Sequence, residues 1–198
     1  TEQTLAGTCE EGAEVTVVAP AGGTVGPMSY PTPGSWQVSL SDLQADANLI
    51  SVTAKDGLSN LATKNTSIVV DTTAPTGSLL IAGGADRTSQ QTVLLQMTAS
   101  DNVGPVKRMR LKNSTGSWSD WLTYSSTRYW NLTSEEVEQT VLVELEDAAG
   151  NVSTDLISAS ITLDTTEPGV TINGVLSPTR VATQLVSGSM EPGSAVVV

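Results

Sequence analysis

With no histidine and one cysteine in 198 residues, the chemistry open to this chain is that of oxygen ligands. Cys9 cannot form a disulfide within the chain, and no cysteine-based zinc site can be assembled. The commonest general base is missing as well. Acids and amides in turn-like sequence remain, and five stand out: Asp71, Asp101, Asn102, Asp147 and Asn151. Calcium takes six to eight oxygens of this kind, from carboxylates, amides, carbonyls and water. The same residue types also cap turns by accepting hydrogen bonds from nearby backbone amides. Both roles are open from the residues alone, and the first requires a fold that gathers positions far apart in the chain.

Other constellations carry less. Glu135/Glu136 and Glu144/Glu146 are carboxylate pairs, but a glycosidase pair needs a cleft that holds it about 5–10 Å apart around a sugar. Glu144 and Glu146 alternate with apolar residues, so a solvated strand face is expected for them. Ser and Thr abound, yet without histidine or a buried lysine no nucleophile is activated, and no enzyme activity is expected. Trp118, Trp121, Tyr124, Tyr129 and Trp130 suit either a stacking platform for sugar rings or the core of a chain that has no Phe. Exposed, coplanar Trp121 and Tyr124 would favour sugar.

The balance of 9 basic against 21 acidic residues gives a net charge of -12, with only Lys107, Arg108 and Arg110 close together. Phosphate binding needs clustered cations, so no nucleic acid is expected as a partner. No apolar run approaches the roughly 20 residues that span a bilayer, and the first residues lack a charged-then-apolar signal. No membrane insertion is expected, and the chain reads as a soluble fragment or mature product.

Strands must position these groups, because apolar residues recur with period 2 and nowhere convincingly at helical spacing. Val15 and Val17 share a face, as do Ile50, Val52 and Ala54, then Val93, Leu95, Met97 and Ala99. Met109 and Leu111 oppose Arg108 and Arg110; Val141, Val143 and Leu145 follow, then Ile157, Ala159, Ile161 and Leu163. Short strands with turn signals between them predict an antiparallel sandwich. One helical turn is expected near Ser134-Glu135-Glu136, where Ser suits the N-cap and acids the first turn.

Two joints divide the chain. Asp71-Thr72-Thr73-Ala74-Pro75 returns as Asp164-Thr165-Thr166-Glu167-Pro168, each after an apolar strand that its proline brings to an end. The expected domains are therefore 1–75, 76–168 and 169–198. Gly7, Glu10, Gly12, Val15 and Val17 recur as Gly188, Glu191, Gly193, Val196 and Val198, at one offset (188 − 7 = 181). The first domain then lacks its opening strand, and 169–198 starts another domain of the first type. A longer array of two alternating domain types is expected.

The run Gly7-Thr8-Cys9-Glu10-Glu11-Gly12-Ala13-Glu14-Val15-Thr16-Val17, with Gly34-Ser35-Trp36 and the segment Ile50 to Asp56, resembles the bacterial Ig-like repeats of large surface and secreted proteins. Residues 76–168 resemble the companion repeat of such arrays, marked by Ala99 to Gly104, Trp118-Ser119-Asp120-Trp121 and Glu146 to Asn151. The resemblance implies an all-β tandem of immunoglobulin-like β-sandwich domains, antiparallel, at the bacterial cell surface or outside it. It implies a stalk, spacer, adhesive or fibre-forming role rather than a named ligand. The partners it implies are neighbouring Ig-like domains or other copies of the chain, with surface glycans or a host or cell-surface receptor as further candidates. In such a sandwich the loop after the second strand and the loop before the last meet where the chain enters. Asp101 and Asn102 would then approach Asp147 and Asn151 near Asp71, as in repeats whose joints calcium stiffens. The alternatives are a non-catalytic carbohydrate-binding module of a secreted polysaccharide-active enzyme, and a filament subunit that assembles by head-to-tail strand donation from the segment Gly169 to Pro178.

Overall fold

The computed structural model describes residues 2–197 apart from Leu176, Pro178 and Val181. Val198, the counterpart of Val17, and Pro178, the end of the expected donor segment, lie outside the described residues. Among those described the fold is all-β, and its one helical element is a 3-10 turn at Ala82–Gly84. The chain divides into two compact units. One holds residues up to Thr76 with Ser100–Arg108 and Leu145–Thr154; the other holds Gly77–Ala99, Met109–Glu144 and the chain from Asp155 on.

In the first unit, alternation of apolar and polar side chains builds β1 (Gln3–Thr8), β2 (Glu14–Val18), β3 (Thr24–Val25), β4 (Ser35–Ser41), β5 (Asp46–Lys55) and β6 (Leu61–Val70). They form two sheets, β1-β4-β3 and β2-β5-β6. Each strand turns one face inward: Val15 and Val17 from β2, Trp36, Val38 and Leu40 from β4, and Ile50 from β5 make the buried core. At about 1.5–3 kcal/mol per fully buried aliphatic or aromatic side chain, this cluster is the main source of cohesion. The orders of these two sheets are those found in an immunoglobulin-like sandwich.

Asn48 is 1% exposed at the start of this core. Its Nδ2 donates to the carbonyls of Gln44 (2.7 Å), Asp46 (2.9 Å) and Ile68 (3.3 Å), and its Oδ1 accepts from the Gln44 amide (3.1 Å). A buried amide in this position satisfies backbone groups that the loop before β5 leaves without strand partners.

The remaining strands are β7 (Thr76–Ile81), β8 (Arg87–Thr88), β9 (Thr92–Ser100), β10 (Arg108–Asn113), β11 (Leu122–Thr123), β12 (Thr127–Asn131), β13 (Glu138–Glu146) and β14 (Ile157–Leu163). Their sheets run β12-β9-β7 and β11-β10-β13-β14-β8. The expected inward faces are buried, including Val93, Leu95 and Met97 of β9, Met109 and Leu111 of β10, and Ile161 and Leu163 of β14. β8 runs parallel to β14, with Arg87 opposite Thr162.

Three local expectations are corrected. Ser134 to Glu136 is a loop, not a helical turn. The buried Gln139 takes its backbone groups, accepting from the Thr133 amide (2.7 Å) and donating to the carbonyls of Thr133 (3.0 Å) and Glu135 (2.8 Å). Glu144 and Glu146 are not on a solvated face. Glu146 is 8% exposed and pairs with Arg108, while Glu144 accepts from Arg110 Nε at 2.6 Å. The tryptophans of this region do not fill its core. Arg110 lies 5.0 Å from the Trp118 ring centre and 4.8 Å from that of Trp121, so cation–π stacking on a paired arginine replaces burial.

Candidate cation site

The site is built from one turn and two strand ends. Asp147 follows β13 and opens a tight turn that closes on Asn151, with Gly150 at φ +96° where a side chain would be strained. Asp147 Oδ1 accepts from the amides of Gly150 (2.7 Å) and Asn151 (2.9 Å), and Oδ2 accepts from Asn151 Nδ2 (2.8 Å). Burial pushes the Asp147 carboxyl up, since only 1% is exposed. The Asn151 side chain and the amides of Asn151, Gly150 and Ala149 outweigh it and hold the group below the ordinary carboxylate value.

Asn151 also reaches to the end of β6, where its Nδ2 donates to the Asp71 carbonyl at 3.1 Å. The Asp71 carboxylate accepts from the Thr73 amide through Oδ1 (3.0 Å). Asp101, after β9, accepts from the Val103 amide through Oδ2 (3.0 Å). Its Oδ1 is buried and has no hydrogen-bond partner.

The structure thus brings Asp71, Asp101 and Asp147 together, each offering an oxygen within 4.8 Å of the others. Asn151 stands beside them. Asn102 is exposed on the same loop as Asp101. All of these residues belong to the first compact unit.

A second turn in the same unit separates capping from ligation. Asp56 and Asn60 repeat the Asp147–Asn151 bonds: Oδ1 accepts from the amides of Leu58 and Asn60 (2.8 Å each), and Oδ2 from Asn60 Nδ2 (2.7 Å). Capping therefore needs only the Asp and the Asn. It does not account for two more carboxylates, one of which has a buried oxygen without a donor. A cation bound at about 2.3–2.6 Å by oxygens holds them within roughly 5 Å of each other, which this spacing matches. Asp71, Asp101 and Asp147 would be its carboxylate ligands, with the Asn151 amide holding two of them in place through Nδ2. The ion would supply positive charge between groups that otherwise repel.

The other candidates are engaged elsewhere. Trp121 is half-buried against Arg110, and the half-buried Tyr124 donates its hydroxyl to the Met97 carbonyl at 3.3 Å. Tyr129 is exposed. Asn48, Gln139 and the Arg110–Trp ladder escaped the sequence reading. The spacing Arg108, Arg110 against Glu144, Glu146, equal steps of two on two strands, was the signal available for the ion pairs.

In sequence, residues 1–76 match the bacterial Ig domain family. No curated protein matches the chain. Among solved structures, the fibronectin(III)-like modules of CbhA from Clostridium thermocellum align over 82% of this chain and 85% of that one, at 13% identity and a TM-score of 0.41. Among the described residues, no helix is long and apolar enough to cross a membrane. The bacterial Ig family is generally non-catalytic and typical of extracellular and surface proteins. Residues 1–76 are thus similar to a bacterial Ig domain, in keeping with the all-β sandwich described above.

Proposed function

We propose that the chain is a mechanical segment, a stalk or spacer, of a bacterial surface or secreted protein, and that calcium stiffens it at Asp71, Asp101 and Asp147. The observation that carries the cation is the buried Asp101 Oδ1, which has no donor and sits beside two more carboxylates. A paired Asp and Asn suffice for the turn, so the gathering of Asp101 and Asp71 at this spot calls for another partner. Their ligation would tie the end of β6 to the loops 100–108 and 145–154. Such a tie serves a load-bearing or spacing role and needs no cleft.

Calcium titration tests it. Saturating calcium at 100 times its dissociation constant should raise stability by about 2.7 kcal/mol, and amide exchange should slow in the loops 100–108 and 145–154. Chelator should reverse both effects and increase flexibility seen by small-angle scattering, while the strands of 76–163 stay folded on their apolar core. Asp101→Asn should abolish the response and leave the Asp147 turn in place. An unchanged melting curve and unchanged exchange with calcium would leave only turn capping for these acids.

A further inference from the structure

The sequence Asp-Thr-Thr stands after β6, at Asp71-Thr72-Thr73, and again after β14, at Asp164-Thr165-Thr166. The two stretches read alike and are held differently. In the first, the Asp71 carboxylate accepts from the Thr73 amide, and the Asp71 carbonyl accepts from Asn151 in the loop after β13. Among the described residues, neither Thr72 nor Thr73 donates its hydroxyl to a side chain.

The second stretch is held by its own domain. β14 lies between β13 and β8, and backbone amides along a strand alternate between its two neighbours. That alternation does not stop at Leu163, the last residue of the strand. The Leu163 amide donates to the Val137 carbonyl on the β13 side (3.2 Å), that of Asp164 to the Thr88 carbonyl on the β8 side (3.0 Å), and that of Thr165 to Glu136 Oε1 (3.2 Å). A side-chain carboxylate takes the place of the next carbonyl. The same group accepts two hydroxyls, from Thr165 through Oε1 and from Thr166 through Oε2. These hydroxyls hold the Glu136 carboxyl below its ordinary value, so at neutral pH it is ionised and only accepts. Arg87 also stands 3.7 Å from Asp164, but both side chains face solvent, where such a pair contributes little.

The first domain has an acid in the corresponding loop and uses it otherwise. The two joints are 93 residues apart (164 − 71), which sets Glu136 against position 43, between β4 and β5. Beside that position Asp42 accepts from Ser41 Oγ at 3.0 Å and from Thr24, not from the joint. A buried amide shapes the loop in both domains, Asn48 in one and Gln139 in the other. The carboxylate that reaches the joint is found in the second alone.

We propose that Glu136 is a clasp that prolongs β14 through Thr166 and so fixes the direction in which the chain leaves residues 76–163. A carboxylate that accepts from one amide and two hydroxyls on successive residues restricts the backbone there to the course of the strand, until Pro168 ends it. The clasp goes beyond the cation reading and does not depend on it. The first joint is tied from the loops that follow it, the second from a loop that precedes it.

Residual dipolar couplings and amide exchange in the full chain test this. The N–H vectors of Thr165 and Thr166 should fit the alignment of β14, and in Glu136→Ala their couplings should fall to about half or less while those of β14 stay. Exchange at Thr165 should quicken about tenfold, with Leu163 and Asp164 changed by less than about twofold. Thr165→Val with Thr166→Val should reduce the same couplings, and adding Glu136→Ala should do little more, as expected of groups that act as one unit. Glu136→Gln should fall in between, because its Nε2 cannot accept a hydroxyl. Glu136 is exposed, so these variants should keep the strand signal in circular dichroism. Couplings at Thr165 and Thr166 that are unchanged in Glu136→Ala, or reduced equally by Glu135→Ala, would overturn the proposal, and so would additive effects of the threonine and glutamate changes. The calcium response reads Asp101 and is not touched by these substitutions, so the two readings fail separately.

Discussion

Asn48 shows how much one buried side chain decides. Its carboxamide serves three carbonyls and one amide in a place water does not reach. Asn48→Ala leaves these groups without partners, and about 1–3 kcal/mol of stability should be lost, read from the midpoint of urea unfolding. A loss under about 0.5 kcal/mol, ordinary for an exposed position, would mean that water replaces the amide at no cost. Asp56 gives a pH signature instead. The Asn60 side chain and amide hold its carboxyl below the ordinary 3.8, with the amides of Leu58 and Ser59 adding to the effect. A depressed carboxyl stabilises the turn above its unfolded value and loses that contribution as pH falls through the folded one. The Leu58 and Asn60 amide resonances should therefore shift together with a midpoint below pH 3.8, and Asp56→Asn should remove the transition. A midpoint at or above 3.8 would show that the turn does not prefer the ionised form.

Strand faces were legible because burial on one side forces alternation, and that is why Val93, Leu95 and Met97 or Met109 and Leu111 sit as expected. The acids were legible as a group for a related reason, since Asp and Asn mark strand ends and strand ends of a sandwich converge. What stayed hidden was how polar faces are used. Alternation says that Glu144 and Glu146 point away from the core, but not that β10 presents Arg108 and Arg110 to them. Nor does it reveal that Trp118 and Trp121 stack on Arg110 instead of entering the core. At the element scale, this ladder fixes β10 against its neighbours. Arg110→Ala should cost about 2 kcal/mol, because it removes a half-buried ion pair and two cation–π contacts together. Arg110→Lys should recover only part, since an ammonium cannot pair and stack with the same planar group. Full recovery by lysine, in thermal unfolding followed by tryptophan fluorescence, would show that charge alone matters there.

At the scale of the whole chain, the repeat relates the groove beside β1 to the apolar Val170 and Ile172, so a chain that fills this groove with its own sequence can be built. The repeat shows how to make one: residues 167–183 placed ahead of Gln3 restore, at the offset of 181, the strand that Ser187 to Glu191 already has beside it. The added strand contributes burial of a Val and an Ile, about 1.5–3 kcal/mol each at full burial, against the cost of ordering a short connection. A net gain of about 2 kcal/mol is expected, a rise of roughly 10 °C in the melting temperature of a sandwich of this size. Amide exchange at Ala6, Thr8 and Glu10 should slow at the same time, and exchange on the β4 side of β1 should change less. If the lengthened chain melts where the parent does and its β1 amides exchange as before, the groove does not accept a strand of this sequence, and the matched spacing of the two repeats has another cause.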